Sequence, residues 1–197
     1  MPERLSPSRL EAFSDGVIAV IITIMVLELR VPSTHDATNL AALHIDLRLV
    51  LIYLLSFVQA GIYWVNHHYL IDDVEYVSHG LLWSNLAFLF SLSLIPFATS
   101  WVGVRGITPF AIALYSALCA FPAISWIVLS TIVCRHSGKP LAGSPAKQLI
   151  CTALYLGAIP MAYRSQPVAI AMIVTVAILW LLPPRRIAEG ARDSASP

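Results

Sequence analysis

The sequence predicts an all-helical, six-transmembrane-helix bundle, and three observations carry that prediction. Of 197 residues, 58% are hydrophobic and only 12% charged, where a soluble domain carries about 25% charged residues. The mean hydropathy of +0.77 means that most apolar side chains face lipid or neighbouring helices. The apolar stretches are also continuous rather than alternating, which selects helices over a closed barrel. With a net charge of +1 and no basic tract beyond Arg185 and Arg186, nucleic acid is not an expected partner. Cys119, Cys134 and Cys151 are odd in number and lie in or beside apolar runs, so they read as packing residues rather than a disulfide framework or a metal site.

A membrane helix needs about 20 mostly apolar residues. The stretches that qualify run roughly over 11–30, 47–70, 81–102, 108–134, 147–163 and 167–183. The first could pass for a secretory signal, but Glu28, Leu29, Arg30, Val31 and Pro32 follow it and offer no small-residue cleavage site, so it reads as a retained helix. Pro96, Pro122 and Pro160 fall inside or at the ends of later spans, where neighbouring groups can satisfy the freed carbonyl. Residues 1–184 read as the six-helix transmembrane domain and 185–197, rich in Ala, Arg and Ser, as a disordered cytoplasmic tail. His35 and His44, in the polar stretch from Pro32 to Asp46, read as solvated loop histidines. Lys and Arg number eight on the side of the termini and four on the other, which places both termini in the cytoplasm of a multi-pass protein.

The first helix is unusual. Only twelve residues, Gly16 to Leu27, separate Asp15 from Glu28, and they cover about 18 Å of a roughly 30 Å hydrocarbon core. Acids at that depth face protein or a water-filled cavity more readily than lipid. On a helical period Gly16, Val20, Ile24 with Thr23 beside it, Leu27 and Val31 share one face, and Asp15, Ala19, Ile22 and Val26 another. Around an axis of several copies, the first face would stack apolar rings able to gate by dewetting; it could equally pack against a helix of its own chain.

The topology brings polar clusters from three helices to one membrane depth. They are Arg9, Ser14 and Asp15; Asn66, His67 and His68 with Trp64 one turn above; and Ser84 and Asn85 after Trp83. A hydrogen-bonded network tying helices one to three is their physical use, with Asp15 expected to pair with Arg9 or a histidine. A metal site from His67, His68 and Asp72 with Asp73 and Glu75 is disfavoured, since adjacent side chains on a helix point about 100° apart.

The run Arg9-Leu10-Glu11-Ala12-Phe13-Ser14-Asp15, followed by an apolar helix ending Leu27-Glu28-Leu29-Arg30-Val31-Pro32, closely resembles the signature first helix of the transmembrane protein 175 (endosomal/lysosomal potassium channel) family. Trp64 to His68, and Asn85 leading into Ser93-Leu94-Ile95-Pro96-Phe97, extend the likeness, which fades after Val104. The resemblance implies a bacterial single-repeat member: a homotetramer in the plasma membrane whose first helix lines a cation pore. It places the tightest apolar constriction at Val20 and a hydroxyl layer associated with potassium preference at Thr23; Ala19 and Val20 stand where some relatives have Ser and then Ile or Leu. The Thr-Val-Gly-Tyr-Gly filter of ordinary potassium channels is absent from the sequence, so selectivity would not come from that carbonyl cage.

The functional expectation is a non-enzymatic, potassium-permeable homo-oligomeric channel without cofactors. Its pore gate is Val20, Ile24 and Leu27, its polar layer Thr23, where a permeant potassium ion can sit, and its interhelical network Arg9, Phe13, Ser14, Asp15, Trp64, His67, His68 and Asn85. The alternative is a proton- or solute-coupled secondary transporter, with Asp15 and the histidines as a relay. It would need a midplane substrate site and an internal repeat.

Overall fold

The computed structural model describes residues 6–29, 47–72, 74–138 and 144–181. Arg30, His35, His44, Asp73, Lys139 and the segment 185–197, on which several expectations fall, lie outside the described residues. Among the described residues all regular structure is helical.

Helix α1 (Pro7–Ile24) starts with Pro at its first position, where the missing N–H is not needed, and tightens into a 3-10 turn over Met25–Glu28. Helix α2 (Leu47–Asp72) is unbroken for 26 residues. The third span is not. Helix α3 (His79–Leu92), capped by Ser78, which accepts from the Leu81 N–H, gives way at Ser93 and Leu94 to helix α4 (Ile95–Arg105). Pro96 explains the break: it has no N–H for the carbonyl four residues back, and its ring crowds that position. The Ser93 hydroxyl donates to the Phe90 carbonyl at 2.7 Å and satisfies one acceptor there. The continuous span expected over 81–102 is therefore two helices in line.

Gly106, at φ 74°, supplies the left-handed turn that ends α4. Helix α5 (Pro109–Ser137), capped by Thr108, runs 29 residues through Pro122. Helices α6 (Pro145–Arg164), with Pro160 inside it, and α7 (Gln166–Leu181) complete the bundle. Among the described residues four stretches, Pro7–Glu28, Leu47–Asp72, His79–Arg105 and Pro109–Ser137, are long and apolar enough to cross a membrane; α7 is apolar but shorter.

The core has two parts. Ile18, Ile21 and Met25 of α1 meet Tyr63, Phe88, Leu92 and Ile95, with Trp126 and Leu129 of α5 behind them. The second part gathers small residues, Ala98, Ala111, Ala120, Ala158 and Ala169, around Tyr115 and Tyr155, where α4 to α7 approach one another closely. Cys119 and Cys151 are buried there as free thiols, and Cys134 is half-buried.

Candidate functional site: the first helix and its polar grip

The two faces of α1 have different surroundings. Leu10, Ser14, Ile18, Ile21 and Met25 are buried against the rest of the chain. Val20 is 54%, Ile24 44% and Leu27 73% exposed, and Ala12, Phe13, Gly16, Ala19 and Thr23 are exposed with them. The ladder therefore does not pack against another described helix of its own chain. Part of it walls an open groove of about 560 Å³, lined by Phe13, Gly16, Val20 and Ile24 on one side and by Ser93 and Pro96 on the other.

Thr23 donates its hydroxyl proton to its own helix, to the carbonyls of Ala19 at 2.9 Å and Val20 at 3.0 Å. With the proton held, the oxygen presents lone pairs outward.

At the other end of α1 a fully buried relay ties three helices. His67 on α2 donates from Nε2 to Asn85 Oδ1 on α3 at 2.7 Å. Asn85 Nδ2 donates to Ser14 Oγ at 2.8 Å, and Ser14 donates to the Leu10 carbonyl at 2.9 Å. Each proton points the same way, and the relay ends on the backbone of α1. The His67 ring lies flat on Phe88, 5.8 Å between centroids and 8° between planes, which fixes its orientation from the other side.

Two more bonds flank the relay. Trp64 Nε1 donates to Asp15 Oδ1 at 3.0 Å, and His68 Nδ1 meets Glu11 Oε1 at 2.7 Å. Trp64, His67 and His68 share one side of α2 at spacings of three and four, and Glu11, Ser14 and Asp15 repeat that spacing on α1. His67 and His68 thus turn to different partners.

Six of the eight residues expected in the network come together: Ser14, Asp15, Trp64, His67, His68 and Asn85. Arg9 and Phe13 do not join it. Both are exposed on α1, and Arg9 has no ion pair among the described residues. The physical reason is helical phase: both lie on the side of α1 that carries Val20, away from α2 and α3. Asp15 accordingly takes Trp64 as its partner, not Arg9 or a histidine. Glu11 was missed, although it stands four residues before Asp15 just as Trp64 stands four before His68.

A second buried cluster also lay outside the sequence reading. Thr99 on α4 donates to Ser56 on α2 at 2.7 Å, Ser56 and Tyr115 on α5 are bonded at 2.8 Å, and Gln59 donates to Tyr155 on α6. Its members are scattered singly among apolar residues, so no local pattern announced it.

Comparison with known proteins identifies the family. Residues 9–96 match the family described as endosomal/lysosomal potassium channel TMEM175. A potassium channel of Chryseobacterium sp. (strain P1-3) is 38% identical over 195 residues, spanning 96% of this chain and 100% of that protein. The human protein named endosomal/lysosomal proton channel TMEM175 is 37% identical over 82 residues, 37% of this chain and 16% of that one. The crystal structure of a lysosomal potassium-selective channel TMEM175 homolog from Chamaesiphon minutus superposes with a TM-score of 0.72 at 27% identity, covering 89% of this chain and 96% of that one. This is a multi-pass membrane protein of an ion-channel family rather than an enzyme, and the chain belongs to the TMEM175 family of potassium channels.

Proposed function

We propose that copies of this chain form a homotetramer around a potassium-conducting pore lined by the exposed side of α1. Val20, Ile24 and Leu27 are its apolar gate and Thr23 its polar layer. The observation that carries this reading is the exposure of that ladder on a helix whose opposite side is buried and held by a directional relay. An apolar stripe alone would also suit lipid. Family membership and the groove shared with Ser93 and Pro96 favour a side that meets other copies and the conduction path.

The chemistry follows from the side chains. A narrow ring of Val20 methyls holds water poorly, and a potassium ion cannot leave its hydration shell there without replacement ligands. One turn away, four Thr23 oxygens with their protons engaged on the backbone offer such ligands. The relay through Ser14, Asn85 and His67 sets the rotation of α1 and so aims the ladder. The channel domain is residues 1–184, in the plasma membrane with both termini cytoplasmic, a placement supported by the excess of Lys and Arg on that side.

The test is ion flux from liposomes holding the purified full-length protein, loaded in turn with potassium, sodium or a pH step. Downhill potassium flux faster than sodium flux, and independent of a proton gradient, is expected. Potassium movement that requires a proton gradient would overturn the reading in favour of a coupled transporter.

A further inference from the structure

The residue that left the expected network carries a consequence for ion passage. At about 100° per residue, the eleven positions from Arg9 to Val20 return Arg9 to within about 20° of the Val20 side, roughly 16 Å along the axis. Glu11 and Asp15 fall about 180° and 140° away from Val20 by the same count. The structure agrees with that phase. Arg9 is exposed with no ion pair among the described residues, whereas Glu11 is held by His68 and Asp15 by Trp64. The acids of the first turns of α1 are thus turned aside, and the fixed charge left on the ladder is a cation.

Resting on the pore reading above, we infer that Arg9 forms a ring of guanidinium charges at the cytoplasmic mouth and slows potassium entering from that side. Guanidinium stays charged at any working pH, so the ring is a permanent barrier, not a pH-gated one. Its field lowers the local potassium concentration at the mouth, and because the site is water-filled, salt screens it. The Debye length is about 30 Å at 10 mM salt and about 3 Å at 1 M, so the barrier is felt in dilute salt and vanishes in concentrated salt.

The experiment is current through the full-length protein in planar bilayers, in symmetric potassium chloride at low and high concentration. Orientation is read from protease removal of an N-terminal tag. The wild type should pass about threefold less current at low salt when potassium enters from the N-terminal side, with the two directions converging at high salt. Arg9→Gln should abolish the low-salt asymmetry by raising the smaller current, and Arg9→Lys should keep it, because charge rather than hydrogen-bonding shape is responsible. A symmetric wild type at low salt, an asymmetry unaltered in Arg9→Gln, or an Arg9→Lys channel that behaves like Arg9→Gln would each overturn the inference. The wild-type arm needs no variant to fold. Val20→Asn recorded alongside separates the two claims. If it changes conduction while Arg9→Gln does not, only the Arg9 ring is wrong; if it changes nothing, the pore side has been misassigned and the ring fails with it.

Discussion

The two halves of α1 are held by different physics. Its N-terminal half is gripped by side-chain hydrogen bonds from Trp64, His67, His68 and Asn85. Its C-terminal half, from Ile18 on into Met25 of the following turn, rests on apolar packing against residues such as Phe88, Leu92 and Ile95. Apolar packing between helices is tolerant of small rotations, since Ile and Met can find other rotamers. A relay in which each donor has one acceptor is not, and in a bilayer a broken buried bond finds no water to replace it. The N-terminal half therefore sets the rotational register of the helix, and the C-terminal half carries the exposed residues whose direction depends on that register.

The largest effect should come from breaking the relay at its middle. Asn85→Leu keeps the branched outline of the side chain but leaves His67 Nε2 without its acceptor and takes from Ser14 Oγ the bond it accepts, while Ser14's own donation to the Leu10 carbonyl remains. One orphaned buried donor and one further lost hydrogen bond cost about 2–4 kcal/mol together. Thermal unfolding of the detergent-solubilised protein should shift down accordingly. A stability equal to wild type would mean that α1 is held by packing along its whole length and that the two halves do not differ.

A smaller effect is expected at Asp15. Its carboxylate is half-buried and accepts one bond from the half-exposed Trp64, so Asp15→Ala should cost about 1 kcal/mol, measured in the same way. A loss comparable to that of Asn85→Leu would reveal a buried partner for Asp15 and extend the grip. Comparing the two variants sharpens where the rigid part of the helix ends.

The sequence made some of this visible and hid the rest for identifiable reasons. Helix positions followed from apolar run length, and the caps at Ser78 and Thr108 only trimmed the ends. The division of the third span at Ser93 was legible as Pro96, although proline alone does not distinguish a kink from a break. Ser14, His67 and Asn85 could be brought together because topology placed three polar clusters at one depth, a strong restriction in a chain with so few polar residues. Arg9 was assigned to the same cluster on depth alone, and depth without helical phase is insufficient: eleven residues before Val20 puts it on the ladder. Ser56, Thr99, Gln59, Tyr115 and Tyr155 meet through contacts between helices far apart in the chain, and pairings of that kind leave no periodic trace.

The central claim, that the exposed side of α1 lines the conduction path, is tested most directly by placing one amide on each of two exposed sides of the same helix. Val20 and Val26 are both about half exposed, 54% and 49%, and lie about 120° apart on the helix. Neither substitution therefore buries a polar group within its own subunit, and differences in folding are held small. Asn at Val20 adds donors and acceptors to the proposed apolar constriction, so potassium leak through reconstituted protein should rise by about tenfold or more, with its preference over sodium reduced. Asn at Val26, at matched oligomer yield, should leave flux close to wild type. The opposite pattern, leak from Val26→Asn and wild-type flux from Val20→Asn, would contradict the account.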